Sequence, residues 1–105
     1  MTREEQILRQ IRSECIACAR ALRGHKIVLF GSRAAGRAHD RSDFDIGIEG
    51  NAPLDIRSFM ELKDRLESIR TLYSIDLVDL RKCPSRFRAE ALKETKTLYE
   101  STHTP

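Results

Sequence analysis

"GSRAAGRAHDRSDFDIGIEG", residues 31–50, decides how this chain folds. It follows directly on the apolar run Ile27-Val28-Leu29-Phe30 and opens with Gly31 and Ser32. It carries Arg33, Arg37, Arg41 and His39, then closes on Asp43 and Asp45 with one residue between them. A short β-branched run that stops at a glycine predicts a buried strand over Ile27–Phe30, followed by a short helix from Ser32 to about Arg37. Phe44 to Glu49 alternates in character. Phe44, Ile46 and Ile48 fall on one face, and Asp43, Asp45, Gly47 and Glu49 on the other. That pattern predicts a second strand with one packed face and one chemically busy face.

Outward from this stretch, the periodicity supplies the remaining elements. Thr2 with Glu4 and Glu5 suits a helix start. Ile7, Leu8, Ile11, Cys15, Cys18, Ala19 and Leu22 share one apolar face, with Gly24 as the stop. Pro53 suits the first turn of a further helix whose buried stripe is Phe59, Leu62, Leu66 and Ile69. Ser74 to Leu80 reads as a third strand. Pro84 or Ser85 begins a last helix with Phe87, Ala91, Leu92, Leu98 and Tyr99 inward. The order helix, strand, short helix, strand, helix, strand, helix predicts an α/β or α+β sheet with helices packed against it. One domain is expected over 1–105: a helical segment at 1–24, a core at 26–100 and a frayed tail at 101–105.

Composition excludes several classes. The 105 residues are 33% charged and 40% hydrophobic, an ordinary globular balance, with a net charge of +3 compatible with a phosphate-bearing ligand. No apolar run approaches the roughly 20 residues that cross a bilayer. The start, MTREEQILRQ, lacks the apolar centre of a signal peptide, so a cytoplasmic location is expected. Three cysteines give an odd count, and Cys15-Ile-Ala-Cys18 lies inside a helical pattern without a second ligand pair. Buried thiols are expected there, not a zinc or redox site. Aromatics are 6% of the chain and the basic residues are matched by many acids, which argues against direct nucleic-acid binding.

The turn and the acids together suggest a chemistry. Gly31 lets a ligand approach the backbone, the N–H groups that follow favour anions, and Ser32 adds a hydroxyl donor. Arg33 adds a candidate charge-assisted contact, whereas Arg37 and Arg41 read as counter-charges or as a solvated loop. Residues two apart on a strand point to one side about 6.6 Å apart. Asp43 and Asp45 therefore converge, and bare they would raise each other's pKa. A hard divalent cation resolves that conflict, magnesium above all. An anion-binding turn upstream of such a pair supplies both halves of a nucleoside triphosphate site. In "SIDLVDL" a third acid is available from Asp76 or Asp79, and alternation alone does not choose between them. Asp76 is preferred because a mid-strand carboxylate among apolar neighbours is costly without a task. His39 has no ligand partner in the pattern, and Glu49 lies too far along the strand for the same cation.

These residues resemble a known family. "GSRAAGRAHDRSDFDI" is similar to the motif of the DNA polymerase β-like nucleotidyltransferase superfamily: Gly-Ser, a downstream glycine at Gly36, then Ser-Asp-x-Asp and an aliphatic residue. More narrowly, the length, the late "IDLVDL" strand and the closing "AEALKETKTLYE" segment resemble minimal nucleotidyltransferase (MNT) domains. The resemblance implies a mixed sheet flanked by helices and a two-metal, magnesium-dependent transfer of a nucleoside monophosphate, AMP from ATP. Gly31 and Ser32 match its phosphate-binding pair, Asp43 and Asp45 its metal-binding acids, and Asp76 its third acid, which activates the attacking hydroxyl. Ile46 stands where leucine is common. The chain lacks the extra domain that holds an acceptor in larger members. In the minimal family that role belongs to a separate helical-bundle partner, HEPN-like or substrate-binding, often in a toxin–antitoxin pair. The alternative is an antitoxin that neutralises its partner by binding, with catalysis secondary.

Overall fold

In the computed structural model, residues 1–101 are described; of the expected tail, residues 102–105 lie outside them. A four-stranded sheet runs in the order β3-β2-β1-β4, with β1 at His25–Phe30, β2 at Phe44–Gly50, β3 at Ile75–Asp79 and β4 at Lys96–Glu100. β1 pairs antiparallel with β2 and β4, whereas β2 and β3 run parallel. The antiparallel β1 and β2 are joined by residues 31–43, whereas the parallel β2–β3 pair is joined through the crossover helix that parallel pairing requires.

Alternation gives the sheet two different faces. Ile27, Leu29, Ile46, Ile48 and Leu98 share one core with α1 (Arg3–Ala17) and α3 (Ile56–Glu67), whose Ile7, Ile11, Cys15, Leu62 and Leu66 fill the space. Full burial of each such aliphatic side chain contributes about 1.5–3 kcal/mol. On the other face Val28 and Phe30 pack with Leu80 and Ala91 beneath α4 (Ser85–Ala91). Gly47 belongs to this second face. A Cβ there would meet Leu80 at 2.8 Å and Phe30 at 3.2 Å, so the missing side chain is what lets that smaller core close.

Local chemistry fixes the helix ends. Thr2 and Glu5 form a reciprocal capping box on α1, and Asp55 caps α3 by accepting from the N–H of Ser58. Pro53 therefore precedes α3 instead of standing in its first turn. α1 stops at Ala17, earlier than Gly24, and a string of turns carries Cys18 and Leu22 into the core. Burial pushes the Cys15 thiol up to about 12 and the Cys18 thiol up to about 11, so both are unreactive apolar fillers.

The largest difference from expectation is at the C-terminal end. The helix predicted from Ser85 through Tyr99 ends at Ala91, and Lys96–Glu100 is a strand on the free edge of β1. Thr95 and Thr97 weaken helical continuation, and β1 gains a second ladder from the strand. Leu98 does point inward, with Tyr99 partly buried, but Phe87 is not inward: it is 47% exposed.

Candidate functional site

The turn after β1 and the start of β2 meet face to face. Gly31 opens α2 (Gly31–Ala34) with φ +75°, a left-handed conformation in which a side chain is strained. Directly above its Cα lies the carboxylate of Asp45. A Cβ built on Gly31 would meet Asp45 Oδ2 at 2.3 Å. Glycine is thus required twice at this position, once for the backbone angle and once for the acid. Gly31→Ala should cost about 1–2 kcal/mol from the backbone alone, with a further loss from the displaced Asp45. Denaturant unfolding of the single variant and of Gly31→Ala with Asp45→Ala separates the two contributions. The second change relieves the collision and leaves the backbone strain.

Asp45 and Asp76 are register partners on the parallel strands β2 and β3, so their side chains share a face. Asp43 stands just before β2, exposed. Burial, then the charge of Asp76, then that of Asp43 hold the Asp45 carboxyl above its ordinary range. Asp45 therefore feels both neighbouring acids, although the premise for preferring Asp76 is reversed. Asp76 is exposed, and Asp79 is the buried acid. Asp79 already has partners, accepting from the backbone N–H of Leu54 at 2.8 Å and of Arg81 at 3.1 Å. Burial at a strand end marked a structural role, while exposure left Asp76 open to a ligand.

The arginines separate in the same way. Arg33 is 8% exposed and its guanidinium lies over the Phe44 ring at 4.1 Å, on the opposite face from Asp45. It donates to the carbonyl of Ser42 from Nε and Nη2, at 3.0 and 2.8 Å, and to Glu4 at 3.0 Å. The sequence-based expectation of a phosphate contact gives way to a clamp that holds the loop before Asp43. Arg37 and Arg41 are exposed, and so is His39, whose Nδ1 accepts from the N–H of Arg41. Glu49 is held by Arg88 at 2.5 Å and Arg81 at 3.6 Å, which occupies it at the far end of β2.

Sequence reasoning also passed over Phe30. It is the cross-strand partner of Asp45, so an aromatic ring adjoins the acids on the same face. The available signal was that a residue immediately before the turn must sit opposite the start of the next antiparallel strand.

As a ligand set, Asp43, Asp45 and Asp76 offer only hard oxygens, and the crowding felt at Asp45 is what a divalent cation relieves. Among the described residues, no three histidine, cysteine, aspartate or glutamate side chains are already gathered closely enough to hold an ion. The donor chemistry fits a cation such as magnesium that keeps water and phosphate in its shell. No helix among these residues is long and apolar enough to cross a membrane.

Comparison with known proteins identifies the family and the fold. The family model described as polymerase beta, nucleotidyltransferase matches residues 18–104. No curated protein matches the chain closely enough to count as a relative. Among solved structures, a chain of a toxin–antitoxin complex with AMP-PNP is 29% identical, with a TM-score of 0.61 over 87% of this chain and 74% of that one. A chain from the complex of a tri-AMPylated Shewanella oneidensis HEPN toxin with an MNT antitoxin is 25% identical, with a TM-score of 0.57 over 90% and 73%. A minimal nucleotidyltransferase at 24% identity and a TM-score of 0.60, covering 88% and 92%, shares the fold. With its matched span enclosing the Gly31 turn and all three acids, the chain belongs to the polymerase beta nucleotidyltransferase family.

Proposed function

We propose that this protein transfers AMP from ATP to a hydroxyl group on a separate helical-bundle protein of the HEPN type, as the antitoxin of a toxin–antitoxin pair. The observation that carries this reading is the contact between the two halves of the site. Asp45 Oδ2 lies against Gly31, and Asp76 stands in register beside Asp45. A phosphate held at the turn is thereby held next to the carboxylates. The AMP-PNP complex and the AMPylated toxin complex among its structural neighbours support the choice of nucleotide and acceptor.

Each residue then has a task. The first N–H groups of α2 lack intrahelical acceptors and, with the Ser32 hydroxyl, hold phosphate oxygens. Asp43, Asp45 and Asp76 would hold magnesium, which when bound supplies positive charge to the triphosphate and lowers the pKa of the attacking hydroxyl. Asp76, exposed on the edge strand, takes the proton of that hydroxyl. The acceptor oxygen bonds to the α-phosphorus as the bond to pyrophosphate breaks.

The test is incubation with ATP labelled on its α-phosphate, magnesium and a HEPN-type toxin that this chain neutralises. Label is expected on that protein. Neutralisation of the toxin without label, equal for wild type and Asp43→Asn, would replace transfer with inhibition by binding.

A further inference from the structure

We propose that the cavity beside the exposed ring of Phe87 receives the base of the nucleotide. This proposal rests on the reading of Gly31 and the acids as a nucleotide site. A cavity of about 250 Å³ opens beside the turn, lined by Phe30, Gly31, Ala35, Arg37, Phe87 and Lys93 among others. It adjoins the turn, since Gly31 forms part of its wall, and Phe30 in that wall is the cross-strand partner of Asp45. Phe87 reaches this place from α4, beside Phe30 at the end of β1.

The walls suit a flat group with a polar edge. Phe30 and Phe87 meet edge to face, with centroids 6.2 Å apart and planes at 86°, and Phe87 remains 47% exposed. A base can stack on an aromatic ring whatever its identity. Arg37 and Glu94 both line the cavity and pair at 3.8 Å, so its lining carries both donors and acceptors. A bare polyphosphate would leave the aromatic floor unused. A purely aliphatic group would leave the charged lining unsatisfied.

The experiment is calorimetric titration with magnesium and either ATP or inorganic tripolyphosphate. Wild type should bind ATP more tightly. Phe87→Ala should weaken ATP about tenfold, the loss of one stacking contact, while tripolyphosphate binding stays as in wild type. Phe87→Tyr should restore the ATP affinity. Unchanged ATP affinity in Phe87→Ala would overturn the proposal while leaving the phosphate half of the site standing. So would unchanged ATP affinity with lost labelling of the partner protein, which would give the cavity to an acceptor side chain. An equal loss of both ligands would show only a disturbed α4 and also overturn it. Failure of wild type to bind either ligand would remove the underlying nucleotide reading as well.

Discussion

Asp45→Asn should lower transfer of the α-phosphate label by on the order of 10²–10³-fold, and should also make the cation-free protein more stable at neutral pH. The two effects have one cause. Burial and the charges of Asp76 and Asp43 hold the Asp45 carboxyl above its ordinary range. Between the ordinary value and the raised one, the folded state holds more protons than the unfolded state. Stability therefore falls as pH rises through that window and stays lower above it. Asparagine keeps the shape and removes the charge, so the penalty disappears with the activity. Thermal melts of both proteins against pH should coincide below the ordinary aspartate range and diverge above it. Magnesium should stabilise wild type and leave the variant nearly unchanged. A variant that transfers label normally, or melts like wild type at every pH, would show that the acids do not act on one point.

Arg33→Ala should destabilise the fold by about 3 kcal/mol, the scale for truncating a buried charge with several partners. Its guanidinium serves the Ser42 carbonyl twice, the Glu4 carboxylate once and the Phe44 ring from above. No water can take all four places, because the side chain is buried. Arg33→Lys should recover only part of the loss, since an ammonium lacks the planar fork that spans these acceptors. Denaturant midpoints at unchanged slope measure both variants. A cost below about 1 kcal/mol for alanine would fit a solvated surface charge instead. Transfer should fall as well, because the loop that Arg33 clamps leads directly into Asp43.

The sheet and its polar face were legible from residues 27–50 because alternation is read one strand at a time. The late strand was not. Ala91, Leu92, Leu98 and Tyr99 fit a helical stripe, and only pairing with β1, some seventy residues away in sequence, makes Lys96–Glu100 extended. Arg33 misled for a related reason. A charge beside a glycine-serine turn points to a phosphate until the fold shows which side of the sheet it occupies. Asp76 was selected by an argument about burial that the fold inverts. Whether a carboxylate in a strand is covered depends on what packs over that face, and the strand's own residues do not contain that information.

β3 carries Asp76 and forms an edge of the sheet, bonded to β2 alone, whereas Asp45 lies on an inner strand. A parallel ladder is slightly weaker per residue than an antiparallel one. The spacing of the two acids is thus set by a single parallel ladder, with no second strand to brace β3 from outside.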